Sequence, residues 1–181
     1  VQGEVRHVPL GKQIHMEVLY LPPGEFLMGS TAEEREWATG IEGGATPGTD
    51  RESYEGDARP VRIKQGLWMG RTEVSVGQFR RFVDETGYVT DAEKPGGKTQ
   101  CFDPEWTGYK LTTSVVHPWT PMPGKSWKDP NWAFPAQDHF PVVCVSWNDG
   151  RAFCQWLTER ERIAGRLGQD LEYRLPTDAE W

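Results

Sequence analysis

The sequence predicts an α+β domain with little regular secondary structure, and three observations point there. Twenty glycines and 14 prolines among 181 residues interrupt the chain almost once in every five positions, which keeps elements short. Helical apolar spacing is sustained in few places, chiefly around Phe79–Val83 and Phe153–Leu157. Nine tryptophans and 12% aromatics, set against only 36% hydrophobic residues, mean that large rings must do much of the packing. The same aromatic content excludes global disorder, and the length suits one domain.

Taken in order, residues 1–15 mix charges with glycine and suit a leader or an edge strand, with the domain proper spanning 16–181. Met16–Leu21 and Glu25–Met28, split by Pro22-Pro23-Gly24, read as two short strands around a tight turn. Gly29 to Pro60 shows no period and carries Gly43-Gly44 and Pro47-Gly48. A stretch of that length reads as a flexible insertion over about residues 30–60, with a binding loop as the alternative. Val61–Ile63 and Leu67–Met69 supply further strands. Ser75 and Gln78 form a capping box ahead of Val76, Phe79, Phe82 and Val83, and Gly87 ends that helix. Tyr88–Gln137 reads as loop pinned by Trp106, Trp119, Trp127 and Trp132, most of them plugs, with Trp119 and Trp127 the two suited to line a groove. Val142–Val145 reads as a buried strand. Ser146 and Asp149 then cap a helix carrying Ala152, Phe153, Trp156 and Leu157 as far as about Ala164. Thr177 and Glu180 form a third box just before the last residue. A helix nucleated and not propagated has little stability, so the chain is expected to be an incomplete part of its domain.

A formal net charge of −7 argues against a sequence-independent grip on nucleic acid. No apolar run is long enough for a membrane span, and the first residues lack the basic-then-apolar pattern of a signal peptide. Three cysteines, at 101, 144 and 154, do not make a self-contained disulfide framework. Cys154 could be half of a disulfide with sequence outside this chain, while Cys144 reads as a small buried hydrophobe. The four histidines are scattered and read as surface or packing residues, with Asp138-His139 as a candidate pair. Glu33, Glu34, Glu36, Asp50, Glu52, Glu55 and Asp57 read as a solvated acidic loop rather than a calcium loop. No nucleophile elbow, phosphate loop or zinc helix is present.

A series of segments in fixed order carries a resemblance. It runs Pro23-Gly24-Glu25-Phe26-Leu27-Met28-Gly29, Thr72-Glu73-Val74-Ser75, Thr86–Lys94, Gly124-Lys125-Ser126-Trp127, Phe140–Asp149 and Tyr173–Trp181. Together these resemble the formylglycine-generating enzyme, or sulfatase-modifying factor, family. The resemblance implies a C-type-lectin-like fold, incomplete in this chain, and an oxidoreductase that converts a cysteine in a Cys-x-Pro-x-Arg segment of a sulfatase to formylglycine with oxygen and copper. It implies that two thiolates hold the copper, and that these and the family's structural calcium loops lie beyond Trp181, in a C-terminal half of the same domain. No catalytic residue and no metal ligand is therefore expected here. Cys154 matches a position that in some relatives pairs with a cysteine of that half. The possible disulfide and the Trp-rich loops lean towards an exported protein.

For the groove, the resemblance implies that Glu73, in the Glu-Val-Ser segment, meets the substrate arginine, with Ala92 and Trp119 as further substrate-binding candidates. An Asp-Ser pair of the family corresponds to Gly97 and Lys98, and a lysine there repels a guanidinium. Two functions follow as expectations: the oxidase, or a non-catalytic lectin-like module of the same fold that recognises protein or carbohydrate. An iron-dependent sulfoxide synthase is disfavoured, since the upstream helical bundle with histidine ligands is not in this sequence.

Overall fold

The computed structural model describes residues 3–11, 13–40, 56–102, 119–132 and 134–181. In chain order its elements are β1 (Val5–Gly11), β2 (Ile14–Leu21), β3 (Gly24–Met28), α1 (Ala32–Thr39), β4 (Arg59–Ile63), β5 (Leu67–Gly70), α2 (Val76–Thr86), β6 (Lys98–Phe102), β7 (Trp119–Pro123) and α3 (Trp147–Ile163). They fall into two compact units, one of residues 1–4, 20–69 and 176–181, the other of residues 5–19 and 70–175. The chain passes between the units within β2 and within β5. No helix among the described residues is long and apolar enough to cross a membrane.

In the first unit β3 and β4 pair antiparallel, with Phe26 opposite Val61, and the Tyr20 and Trp68 rings meet at 5.3 Å. The strands foreseen at Met16–Leu21 and Glu25–Met28 both form, but not as a hairpin with each other: β2 pairs with β1 and β3 with β4. Between β3 and β4 the structure builds α1 where an irregular stretch was expected. Thr31 and Glu34 form its capping box, and Arg35 holds Asp57 at 2.6 Å. The remainder of the predicted insertion, residues 41–55, lies outside the described residues, as do Trp106 and His117.

The second unit holds the main core. β1 and β2 pair antiparallel with Val8 opposite Met16. Alternation places Val8, Leu10, Met16 and Val18 inside and His7, His15 and Glu17 on the outer face. β1 is an edge strand, one of the two readings of residues 1–15. Capping boxes at Ser75/Gln78 and Ser146/Asp149 start α2 and α3, and Gly87 (φ +68°) ends α2 in the left-handed conformation. The two helices bury Val76, Phe79, Phe82, Phe153 and Leu157. Phe79 stacks on Phe153 at 6.0 Å and meets Trp127 edge-on at 5.3 Å. Arg81 and Arg160 donate to the carbonyls of Leu10 and Pro9, giving the hairpin polar as well as apolar attachment.

Two local expectations are corrected. Val142–Val145 is not a strand: Val142 N–H donates to Val74 O and Pro141 bridges Ser75, and Cys144 has φ +59°, which breaks the extended geometry. The Tyr88–Gln137 region is not all loop, because β6 and β7 form an antiparallel hairpin pairing Cys101 with Thr120. Neither strand has a clean apolar alternation, and Pro121 and Pro123 mask the second; proline is tolerated in such a two-stranded ribbon, where one side of each strand is unpaired.

Candidate functional site

The turn after Thr90 is tied down by buried polar groups. Asp149 is fully buried; its Oδ1 accepts from Tyr88 Oη at 3.0 Å and from Asp91 N–H at 3.1 Å, and its Oδ2 from Ser146 N–H at 2.7 Å. Burial, then the Asp149 carboxylate, push the Tyr88 phenol up to about 12. It therefore stays a donor. Asp91 accepts from Lys94 at 2.6 Å, Ser146 Oγ at 2.6 Å and Asn148 at 3.2 Å; with Lys94 foremost, these hold its carboxyl down at about 2. Glu93 gathers Thr90 Oγ1 at 2.8 Å, Trp127 Nε1 at 3.2 Å and Lys128 at 2.6 Å. Burial works to raise its pKa, and the bonds from Lys128 and Thr90 outweigh it, so the net shift is downward. The N-terminus of α3 thus fixes the 88–94 segment by charge-assisted bonds, the stronger kind.

That fixed turn forms one wall of an open groove of about 700 Å³, lined by residues 92–94 and 96–98 on one side and 123–126, at the end of β7, on the other. Ala92 lies in the wall and is 8% exposed. The charged lining is Lys94, Lys98, Lys125 and Glu93, so cations outnumber carboxylates. Lys94 is paired with Asp91, and Lys125 with Asp129 at 2.7 Å.

Of the three expected substrate-binding residues, the structure brings only Ala92 to this groove. Glu73 is exposed, just before α2, and is not among the lining residues. Trp119 is 57% exposed at the far end of β7 from Pro123, edge-on to Phe102 at 5.9 Å. Trp127, expected to be available to a groove, is 2% exposed and packs on Phe79; it is a plug. His139 meets Phe140 at 4.6 Å, while Asp138 pairs with Arg80, so the adjacent Asp and His have different partners. In the acidic region Glu34 serves as a cap and Asp57 as the partner of Arg35.

Three thiols are the soft donors that this chain could offer a metal. Cys101 and Cys144 place their sulfurs 3.8 Å apart, a contact that 43 residues of separation hid from sequence reasoning. Cys101 is fully buried, and burial, then Cys144, push its thiol up to about 11. Cys154 is free, and burial pushes it to about 11 as well. Thiols held protonated away from solvent do not suit a substrate-accessible copper ion. Cys101 and Cys154 do not fit that role.

Residues 6–181 match the sulfatase-modifying factor enzyme 1-like domain. The chain belongs to that family. Among relatives of this sulfatase-modifying factor-like domain, formylglycine-generating enzyme of Thermomonospora curvata is 37% identical over 145 residues, covering 77% of this chain and 43% of that protein. The mouse protein of the same name is 34% identical, covering 75% and 36%. Mouse "inactive C-alpha-formylglycine-generating enzyme 2" is 33% identical over 180 residues, covering 95% and 48%. The chain thus spans about half or less of the length of these relatives. The structure of PvdO from Pseudomonas aeruginosa shares the fold, with a TM-score of 0.51 and 21% identity over 88% of this chain and 45% of that one.

Within this sulfatase-modifying factor-like domain, Gly97 is a position without room. A Cβ there would press on Asp91 O and lie 2.6 Å from Ala92 O, backbone atoms that cannot swing aside. Gly97→Asp is therefore expected to destabilise the domain by roughly 2–3 kcal/mol, as overpacking does. Urea denaturation of the variant checks this, and a midpoint equal to wild type would refute the packing argument.

Proposed function

We propose that this chain supplies the substrate groove of a formylglycine-generating-enzyme-like protein that oxidises a cysteine of a sulfatase-type peptide to the aldehyde. The groove between residues 92–98 and 123–126, within a region matched to the family, carries this reading. Copper, when bound, would activate oxygen for that oxidation; it and structural calcium are assigned to other parts of the protein. This chain's own part is to seat the peptide. Ala92 offers a small apolar wall, and the Asp91–Asp149 network keeps that wall from moving. Glu73 remains the proposed contact for a substrate arginine, on the strength of its family segment alone.

A second reading, a non-catalytic binding module, is favoured by Gly97 and Lys98. Gly97 offers no carboxylate to pair bidentately with an arginine, the lining's Glu93 is engaged by Lys128 and Thr90, and Lys98 adds like charge. One experiment separates the readings. The full-length protein is incubated with a Cys-x-Pro-x-Arg peptide, copper and oxygen, with binding followed by anisotropy and aldehyde by a hydrazide probe. Aldehyde formation is the expected result, and binding without aldehyde would establish the second reading. Neither binding nor aldehyde would overturn both. Lys98→Ser is expected to tighten binding of the arginine peptide about fivefold, from the removal of one partly screened like charge.

A further inference from the structure

We propose that His7, His15 and Glu17 form a binding site for a divalent transition-metal ion of the zinc class, separate from the groove and independent of the proposed reaction. The three side chains share the outer face of the β1–β2 hairpin. His7 stands directly opposite Glu17 in the strand register, and His15 precedes Glu17 by two residues, one pleat along the same face. Their ligand atoms all lie within 4.8 Å of one another. Among the described residues this is the single group of three or more His, Cys, Asp or Glu side chains so arranged.

The carboxylate divides its two oxygens. Glu17 Oε2 accepts from Arg71 Nη1 at 2.8 Å, while Oε1 faces both imidazoles, 3.9 Å from His7 Nδ1 and 4.0 Å from His15 Nε2. Arg71 N–H also donates to Glu17 O at 2.9 Å, so the arginine is anchored to the residue it orients. A partner that orients a ligating carboxylate is the usual support of a metal site. Ligands around tetrahedral zinc sit about 3.3 Å apart, given bond lengths near 2.0–2.1 Å. The separations of 3.9 and 4.0 Å need only small side-chain rotations to reach that, with the backbone fixed by the ladder. Two imidazoles and one carboxylate suit borderline divalent ions rather than calcium or magnesium, which want more oxygen. The fourth position stays open to water. The two rings are exposed, with centroids 4.9 Å apart, so an ion can enter without any opening of the core. The Arg71 charge weakens the site relative to a fully neutral shell, which sets the expected affinity in the micromolar range.

The test uses the full-length protein, stripped of metal and titrated with zinc chloride against a chromophoric chelator. The zinc taken up per chain is expected to fall by one equivalent in the His7→Ala/His15→Ala double variant, the affinity of that equivalent to weaken at least tenfold with His7→Ala or His15→Ala alone, and both to be unchanged by Cys144→Ser and His139→Ala. A stoichiometry that does not fall in the double variant, or no uptake at about 100 μM zinc, would overturn the site. A second reading needs no substitution: substoichiometric Cu(II) should broaden the Cε1–H resonances of His7 and His15. Broadening confined to the other histidines would equally overturn it.

Discussion

Phe79→Ala is expected to destabilise the second unit by about 3–5 kcal/mol, the cost of emptying a large aromatic site that neighbours cannot refill. Phe79 is 2% exposed and touches Phe82, Phe153 and Trp127 through ring contacts of 5.3, 6.0 and 5.3 Å. With Phe82, which also meets Phe153 and Trp156, it joins α2 to α3, and it links both to the Trp127 plug. Removal opens a cavity and also frees Trp127, whose Nε1 holds Glu93 in the groove wall. Stability and groove order should therefore fall together. Urea denaturation followed by near-ultraviolet circular dichroism reads both. A loss below about 1 kcal/mol would mean that the aromatic cluster is not the core.

Asp149→Ala is expected to cost about 2–4 kcal/mol, because three donors lose their acceptor and one of them caps a helix. The donors are Tyr88 Oη, Asp91 N–H and Ser146 N–H. Unlike Phe79→Ala, this change should act on the groove even where the protein remains folded. The amide of Asp91 should exchange with solvent much faster, and peptide affinity should fall. Asp149→Asn keeps a carbonyl oxygen in place and should lose about half as much. Wild-type exchange at Asp91 in the alanine variant would show that the turn is held by other means.

The helices were legible because their signals are local. Ser75/Gln78 and Ser146/Asp149 are four-residue patterns, and the structure forms both boxes as read. The third box is only half made: Thr177 N–H and Oγ1 both donate to Glu180 Oε2, while the Glu180 N–H turns to Thr177 O and the segment stays a turn. α1 was missed although Thr31 and Glu34 carry the same pattern, because its 32–39 segment has no apolar stripe to announce a buried face. Strand existence was readable in Met16–Leu21 and partner choice was not, since pairing is decided by the register of distant segments. The hairpin of β6 and β7 failed for that reason, compounded by its prolines. At the site, Ala92 could be placed by family segment, but the Asp91–Asp149 bond and the Cys101–Cys144 contact each join residues more than 40 positions apart. The metal-ligand face was hidden likewise: His7 and His15 look scattered until Val8 opposite Met16 sets which side each faces.

The crowding at Gly97 has a wider meaning. Gly97 lines the groove and is also the position that lets its turn close, so on the proposed reading recognition and foldability are bound to a single site. Adding a side chain at Gly97 alone is blocked, and placing a carboxylate there would require grafting the 91–98 segment with its backbone shape.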